Sequence, residues 1–232
     1  MAEKLTPAKV EEAVKHYENI QSGKTPILKT DKEKTTEHIT DLHRHLKKKD
    51  NKTFPLIPPT DPRLLMRIAE FSDDMLKEFE MKDRKELSQK MYDSMTKYGG
   101  IGLSCNQVGL QYSMFVFGNP SEPESIVGAF NPKIVDFSSG LEYGEEGCLS
   151  FPGLFIKIKR PTEIRARITD WQKNIDTFKL TGLTARVFQH EYDHLQGINF
   201  TQRANKIHLD RAKKQKIKLD RLRRKNAKRT PV

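Results

Sequence analysis

Residues 189–195 read Gln-His-Glu-Tyr-Asp-His-Leu, and this stretch decides how the rest of the chain is interpreted. It contains two histidines four positions apart, His190 and His194, with Glu191 directly after the first. On a helix, positions four apart lie one above the other on the same face, so both imidazoles can reach one metal ion. The pattern therefore predicts a metal-binding helix that carries an acidic side chain beside its ligands.

The surrounding residues favour a helix that is buried on two sides. Leu183 and Val187 extend the histidine stripe at helical spacing. Phe188, Tyr192 and Leu195 form a second apolar stripe. We expect this helix to begin near residues 181–182 and to lie centrally, with its histidines sheltered from water.

A catalytic zinc or iron site needs at least three protein ligands, so a third must come from elsewhere. The extended motif has Phe200 where a metzincin protease would have a third histidine. Cys148 lies in a glycine-bracketed turn and is the best candidate for this ligand. A thiolate with two imidazoles suits Zn²⁺ or Fe²⁺ and leaves one position open for water. A buried structural cysteine is the alternative interpretation of Cys148.

Charge is distributed very unevenly along the 232 residues, whose net charge is +11. The last part, 201–232, carries 13 basic and 2 acidic residues, while 53–200 has a net charge of −3 and 1–52 a net charge of +3. We predict three parts: a polar N-terminal extension, 1–52, that is partly helical or disordered; a catalytic domain, 53–200; and a basic C-terminal tail, 201–232.

Several classes of protein are disfavoured by composition. The sequence has no apolar run of membrane-spanning length, and its N-terminus lacks the apolar core of a secretory signal. The two cysteines, Cys105 and Cys148, are then better interpreted as free thiols or metal ligands in a reducing compartment than as a disulfide. We expect a cytoplasmic monomer without membrane association; an organelle and a virus-infected host cell stay open as alternatives.

Periodicity predicts an α+β fold, with antiparallel β-sheets packed around the central histidine helix. Strands are expected at 113–118, 126–137, 154–159, 162–170 and 175–180, the second of them broken by Asn131-Pro132. Helices are expected from about residue 63 and over 84–98, and residues 171–174 are expected to form a hairpin turn. Residues 204–227 lack proline and glycine, which predicts a basic C-terminal helix; a disordered basic tail is the alternative.

Three segments together carry a family resemblance. In chain order, residues 100–107 read Gly-Ile-Gly-Leu-Ser-Cys-Asn-Gln, 146–150 read Glu-Gly-Cys-Leu-Ser, and 189–194 read Gln-His-Glu-Tyr-Asp-His. The chain resembles peptide deformylase, whose three signature motifs have these forms in this order, over roughly residues 54–200. The resemblance implies a hydrolase that removes the formyl group from N-terminal formyl-methionine of nascent polypeptides and releases formate.

The resemblance also implies roles for individual residues. One divalent metal ion, Fe²⁺ in the cell and Zn²⁺, Ni²⁺ or Co²⁺ in preparations, would be bound by Cys148, His190 and His194. The general acid/base would be Glu191, and the oxyanion would be stabilised by Gln107 and the backbone N–H of Leu149. The substrate would lie against Ile101, Gly102 and Gly147. Methionine would enter an apolar pocket with Leu183 and Val187, for which plain core packing is the alternative.

Two arginines and the basic tail lie outside these motifs. We interpret Arg160 as a solvated strand end; the alternative, which the resemblance implies, is a basic residue near the substrate entrance. We expect Arg186 to pair with an acid such as Asp193. Some bacterial deformylases dock a C-terminal helix on the ribosome, so the resemblance suggests that 201–232 binds the ribosome through its RNA.

Two other classes of protein compete with this interpretation. A zincin-like endopeptidase shares the histidine motif but needs a ligand downstream, where only His208, Asp210 and Asp220 follow, all in the basic tail. A non-catalytic RNA-binding protein needs only the tail and gives no reason for the histidine motif.

Overall fold

The structure is a computed structural model, and it describes residues 52–122 and 126–227. Almost all of the predicted N-terminal extension, 1–52, lies outside the described residues, as do the last five residues of the chain.

The described chain contains five α-helices, seven strands and two 3₁₀ turns. In chain order they are a 3₁₀ turn (Pro62–Leu65), α1 (Met75–Glu78), α2 (Arg84–Lys97), β1 (Gly102–Ser104), a second 3₁₀ turn (Cys105–Val108), β2 (Met114–Phe117), β3 (Val127–Phe137), β4 (Leu141–Gly147), β5 (Phe155–Pro161), β6 (Glu163–Thr169), β7 (Ile175–Thr181), α3 (Gly182–Leu195), α4 (Phe200–Arg203) and α5 (Lys206–Ala227).

The strands form two antiparallel sheets. Five of them pair in the order β1-β2-β3-β6-β7, and β4 pairs only with β5 in a two-stranded hairpin. The predicted α+β class with antiparallel sheets is thus confirmed.

Helix α3 packs on the five-stranded sheet through the second apolar stripe predicted for it. The ring of Phe188 makes edge contacts with Phe115 and Phe117 of β2, at centroid distances of 5.0 and 5.5 Å. Tyr192 and Leu195 join the same buried cluster. Burying a side chain of this size contributes roughly 1.5–3 kcal/mol, so this stripe fixes the rotation of α3 and with it the direction of the histidines.

Strand β6 follows its predicted alternation. Ile164, Ala166 and Ile168 are buried against α3, whereas Arg165 and Arg167 are exposed on the other face of the sheet. The predicted hairpin turn is also present and leads directly into β7.

The predicted break in β3 is wrong, because the strand runs through Pro132. Asn131 has a φ of 47°, and the pairing with β6 shifts register between Phe130 and Lys133. Pro132 therefore lies in an irregularity of the strand, where the backbone N–H that proline lacks is not needed for a hydrogen bond to β6. The Asn131 side chain holds this irregularity by bonding both to the N–H of Phe71 (2.7 Å) and to its carbonyl (3.0 Å).

The helix expected from about residue 63 is only the 3₁₀ turn Pro62–Leu65. Asp61 caps it, since its carboxylate accepts from the backbone N–H of Arg63 at 2.9 Å. The chain then returns to extended conformation at Met66, which ends the turn.

The C-terminal helix α5 is present and its first half packs on the hairpin of β4 and β5. Ala212 is buried, and Leu209 packs with it in a cluster that also contains Phe200 and Cys148. Farther along α5, the large apolar side chains of Ile217, Leu219 and Leu222 are exposed. Across the described residues, none of the helices has the length and apolar character that crossing a membrane requires.

Candidate active site

Three buried side chains meet at the end of β4 and on the inner face of α3. The ligand atoms of Cys148, His190 and His194 all lie within 4.8 Å of one another. Helix α3 aligns the two imidazoles one turn apart, and Cys148 follows the last residue of β4. The Sγ atom of Cys148 is 3.2 Å from Nε2 of His194.

The electrostatics of the cluster favour a thiolate. Burial alone would raise the pKa of the Cys148 thiol, but the neighbouring imidazoles of His194 and His190 outweigh burial and lower that pKa to about 5. Burial likewise opposes a charged His190, whereas the Cys148 sulfur and the Glu146 carboxylate raise the pKa of His190 to about 10. A thiolate with two imidazoles in a buried setting is a donor set that fits Zn²⁺ or Fe²⁺.

Glu146 fixes the orientation of His190. Its Oε2 lies 3.1 Å from Nδ1 of His190. Against burial, Arg160 and His190 lower the pKa of the Glu146 carboxyl, so the carboxylate accepts and Nδ1 must carry the proton. The other ring nitrogen, Nε2, is then the one that can give up its proton and bind a metal ion.

Arg160 is not a solvated strand end, so that prediction is wrong. Strand β5 places Ile156, Ile158 and Arg160 on its buried face, and the arginine side chain is only 2% exposed. It donates to both carboxylate oxygens of Glu146, at 2.6 and 2.9 Å, and to Asp193 at 2.8 Å. The basic residue at this strand end is therefore part of the support of the histidine helix.

Arg186 pairs with an acid, as predicted, but this acid is Glu146 and not Asp193. Arg186 lies on the cleft side of α3 and donates to Glu146 at 2.9 Å and to two backbone carbonyls of the β4–β5 hairpin. It crosses directly over Gly144, where a Cβ atom would lie 2.5 Å from the guanidinium. Asp193 faces the opposite way and pairs with Arg160 and Arg203.

Glu191 is held beside the cluster by residues of the first motif. The hydroxyl of Ser104 donates to its Oε2 at 2.6 Å, and burial raises the pKa of this carboxyl. Its Oε1 occupies the space next to Gly102, where a Cβ atom would lie only 2.4 Å away. Gly102, the second glycine of the motif, thus makes room for Glu191. Sequence reasoning missed this role, because the two residues are 89 positions apart in the chain.

Gln107 is oriented by the same loop. Its Oε1 accepts from the backbone N–H of Ser104 at 2.9 Å, which identifies the other amide atom as nitrogen. That Nε2 donates to Ser150 Oγ at 3.1 Å and lies 3.4 Å from Cys148 Sγ. The amide donor of Gln107 is therefore adjacent to the three-residue cluster.

A cleft of about 740 Å³ opens over the cluster. The predicted site residues that line it are Ile101, Gly102, Gln107, Gly147, Cys148, Leu149, Leu183, Val187, His190 and Glu191. His194 is buried behind these residues. Leu183 is 65% exposed and lies at the mouth, so the alternative of plain core packing does not hold for it.

Sequence reasoning missed three aromatic residues of this cleft, Tyr98, Phe151 and Phe155. Phe155 is exposed and covers Gly147, where a Cβ atom would lie 2.7 Å from the ring. The signal was weak, because β5 alternates with lysines and its outward aromatic residue resembles an ordinary surface position.

Replacing Gly102 by alanine is expected to displace the Glu191 carboxylate. On the prediction that Glu191 is the general acid/base, turnover should fall by about tenfold to a hundredfold, since a base must stay within hydrogen-bond reach of its proton. Metal content and the far-ultraviolet circular dichroism spectrum should stay unchanged. Gly140→Ala, which would bring a methyl group near the exposed Thr162 hydroxyl, is the control. Full activity of Gly102→Ala would show that Glu191 does not need this space.

The chain matches the family model described as polypeptide deformylase over residues 60–210. It is 40% identical over 154 residues to "Peptide deformylase 1B, chloroplastic/mitochondrial" of Arabidopsis thaliana, a match that covers 62% of this chain and 56% of that protein. The chain spans about half the length of the curated plant relatives it matches.

Solved structures agree with the sequence comparisons. A peptide deformylase from Synechococcus elongatus in complex with actinonin superposes with a TM-score of 0.62 and 31% identity, over 70% of this chain and 85% of that one. The peptide deformylase of Thermus thermophilus gives a TM-score of 0.61 and 31% identity, over 73% of this chain and 94% of that one. The family match covers well over half of the chain and contains all three motifs and the buried cluster. The chain therefore belongs to the polypeptide deformylase family.

Proposed function

We propose that this chain is a metal-dependent hydrolase that removes the N-terminal formyl group from formyl-methionyl nascent polypeptides and releases formate. The observation that carries the proposal is the buried cluster of Cys148, His190 and His194 beneath an open cleft, with Glu191 beside it, in a chain of this family. The same elements match the family's three motifs in sequence.

Cys148, His190 and His194 would hold one divalent ion, for which we propose Fe²⁺ in the cell, with Zn²⁺, Ni²⁺ or Co²⁺ able to replace it in preparations. A bound divalent ion lowers the pKa of a water molecule and polarises a carbonyl. The protein contributes a low-pKa thiolate, an imidazole with a fixed proton and a buried helix that keeps the donors in place.

Glu191 is proposed as the general acid/base. Burial favours its neutral form, while Ser104 and the neighbouring histidines favour the carboxylate, so the group is suited to accept and return one proton. It would take the proton from the attacking water and deliver it to the leaving amine of the methionine.

Gln107 and the backbone N–H of Leu149 are proposed as donors to the oxyanion that forms on the formyl carbon. Gln107 is preorganised by Ser104, and Leu149 directly follows Cys148 along the cleft. Preorganised donors of this kind contribute on the order of 3 kcal/mol each to transition-state stabilisation.

The substrate is proposed to lie along Ile101, Gly102 and Gly147, with its methionine side chain against Leu183 and Val187. These residues line the cleft on the two sides of Glu191. A cleft of this kind, mostly apolar with a few polar groups near one end, suits an apolar side chain attached to an amide.

The division of the chain into three parts also belongs to the proposal. Residues 53–200 would form the catalytic domain, preceded by the extension 1–52 and followed by the basic tail 201–232. The first half of that tail packs on the domain through Ala212. We propose a monomer in the cytoplasm, with an organelle as the alternative favoured by plant relatives whose names are chloroplastic or mitochondrial.

The proposal is tested by offering the metal-loaded protein three peptides: formyl-Met-Ala-Ser, acetyl-Met-Ala-Ser, and a long peptide without a formyl group. Only the formyl peptide should react, giving formate and a free amino terminus. Cleavage of internal peptide bonds would instead identify an endopeptidase, and the absence of any reaction by a metal-loaded protein would contradict the proposed activity.

We also propose that the exposed half of α5 binds ribosomal RNA. Its cations and apolar side chains share one face, with Lys214, Ile217, Lys218, Arg221, Leu222 and Lys225 lining a shallow groove. Phosphate contacts of lysine and arginine supply salt-dependent affinity for nucleic acid. Because the proposed substrate emerges from the ribosome, such binding would keep the enzyme close to it.

Deleting residues 217–232 is expected to lower ribosome affinity at least tenfold at about 0.1 M salt and to flatten its salt dependence, because each lost phosphate contact reduces the slope by about 0.7–0.9. The deletion spares Ala212 and so leaves the packed half of α5 intact. Arg165→Gln with Arg167→Gln removes two exposed cations elsewhere and serves as the control. Equal binding by the truncated protein in sedimentation assays would contradict the role of the helix.

A further inference from the structure

A chain of alternating charges connects the C-terminal segment to the proposed metal centre. Arg203 makes a two-point contact with Asp193, at 2.6 and 3.0 Å. Asp193 also accepts from Arg160, which in turn makes a two-point contact with Glu146. Glu146 accepts from His190, so four ion pairs or hydrogen-bonded links join Arg203 to a proposed ligand.

The interior of this chain of charges excludes water. The side chains of Arg160, Glu146 and Asp193 are each 2–4% exposed, whereas Arg203 at the outer end is 18% exposed. Both oxygens of the Asp193 carboxylate accept from guanidinium groups: Oδ1 from Arg203, and Oδ2 from Arg203 and Arg160. Asp193 therefore depends on both arginines for its charge balance.

The two arginines make different contacts. Arg203 supplies the donor to Oδ1 of Asp193, while Arg160 shares its guanidinium between Asp193 and Glu146. Without Arg203, Oδ1 would lose a donor in the protein interior, which is costly for a buried carboxylate. Arg160 is the remaining cation on Asp193 and would shift towards it, which weakens its contact with Glu146.

That shift would reach the metal centre through one hydrogen bond. Glu146 keeps the proton of His190 on Nδ1, and so keeps Nε2 available as a ligand atom. A Glu146 that has lost Arg160 keeps the contact of Arg186 with Oε1 but loses the guanidinium contact at Oε2, the oxygen that faces His190. Its hold on this imidazole is then weaker and less fixed. Partners of this kind orient the ligands of metal sites from outside the coordination shell.

We infer that Arg203, through Asp193, Arg160 and Glu146, is a positioning residue for the metal ligand His190. The inference rests on the metal assignment made under Proposed function. Arg203 would thus support the metal centre, whereas the exposed cations of α5 are proposed to bind RNA, although all of them belong to the basic C-terminal part of the chain.

The test compares the full-length variants Arg203→Met, Arg203→Lys and Arg211→Met. Arg211 is exposed on α5 and provides the matched control. The measurements are Zn²⁺ affinity by competition with a chromophoric chelator, the Zn²⁺ dissociation rate, and the His190 Nδ1–H proton by ¹H–¹⁵N NMR of the Zn²⁺-loaded protein. Urea denaturation of each metal-free variant measures stability separately.

Arg203→Met is expected to bind Zn²⁺ about tenfold more weakly, with faster dissociation and faster exchange of the His190 Nδ1–H proton with water. Arg203→Lys should give intermediate values, and Arg211→Met should match the unaltered protein. If Arg203→Met only lowers stability, with unchanged Zn²⁺ affinity and an unchanged His190 ring proton, the positioning role is wrong. If the unaltered protein itself binds no Zn²⁺, the proposed metal centre fails instead.

Discussion

Replacing Glu191 by glutamine is expected to lower kcat for deformylation by about 10²- to 10⁴-fold, the usual contribution of a general acid/base. Glutamine has nearly the same shape and can still accept from Ser104, so the fold and the space beside Gly102 should be preserved. It cannot take a proton from water. Metal content should stay at that of the unaltered protein, because Glu191 is not one of the three clustered ligands.

The measurement is the initial rate of formate release at saturating formyl-peptide, with metal content determined on the same samples. Glu142→Gln, an equivalent change at an exposed position of β4, should retain full activity. Turnover by Glu191→Gln within a few-fold of the unaltered rate would remove Glu191 from the proposed mechanism.

Replacing Cys148 by alanine is expected to abolish stoichiometric metal binding and, with it, turnover. The change removes one of three donors and the only thiolate of the cluster. The loss should exceed the roughly 10- to 100-fold that removal of an outer hydrogen-bond partner costs, because a ligand itself is lost. Metal content after dialysis, measured by atomic emission, gives the readout.

Cys105→Ala is the matched control for this experiment. Cys105 is fully buried beside Met114, with its sulfur 3.6 Å from that of the methionine, and burial raises the pKa of its thiol. It should therefore stay a packed thiol, and its alanine variant should keep one metal ion per chain. Stoichiometric metal in Cys148→Ala would overturn the proposed ligand set.

The parts of this protein that could be predicted from sequence are those set by local spacing. The helix around His190 follows from contacts three and four residues apart, and β6 follows from strict alternation of Ile164, Ala166 and Ile168 with arginines. Both patterns lie within a single helix or strand, so they can be recognised without knowing which other segments pack against it.

The parts that could not be predicted depend on pairing between distant segments. Strand β4 shows little apolar alternation: β5 pairs with it along its whole length, but most of its side chains are exposed or only partly buried. Arg160 resembles a surface residue until β5 turns it towards Glu146 and Asp193, 14 and 33 residues away. No local pattern distinguishes such a buried ion pair from a solvated charge.

The same distinction applies to the candidate site. The three clustered residues could be proposed from motifs, because each motif keeps its residue types at fixed local spacing. The residues that hold this cluster in place could not be predicted. Ser104, Glu146 and Arg203 contact residues of α3 only because β1, β4 and α4 pack against that helix in the folded protein. The resemblance to a family suggested the proposed ligands, and the structure shows which side chains orient them.

The most direct test of the central claim is formate release from a formyl-Met peptide during metal titration. Anaerobically prepared metal-free protein would receive increasing Fe²⁺, and in parallel experiments Ni²⁺ or Zn²⁺. We expect formate production to rise with added metal and to level off at one equivalent per chain. A folded protein that binds one equivalent of each metal and releases no formate would contradict the proposed activity.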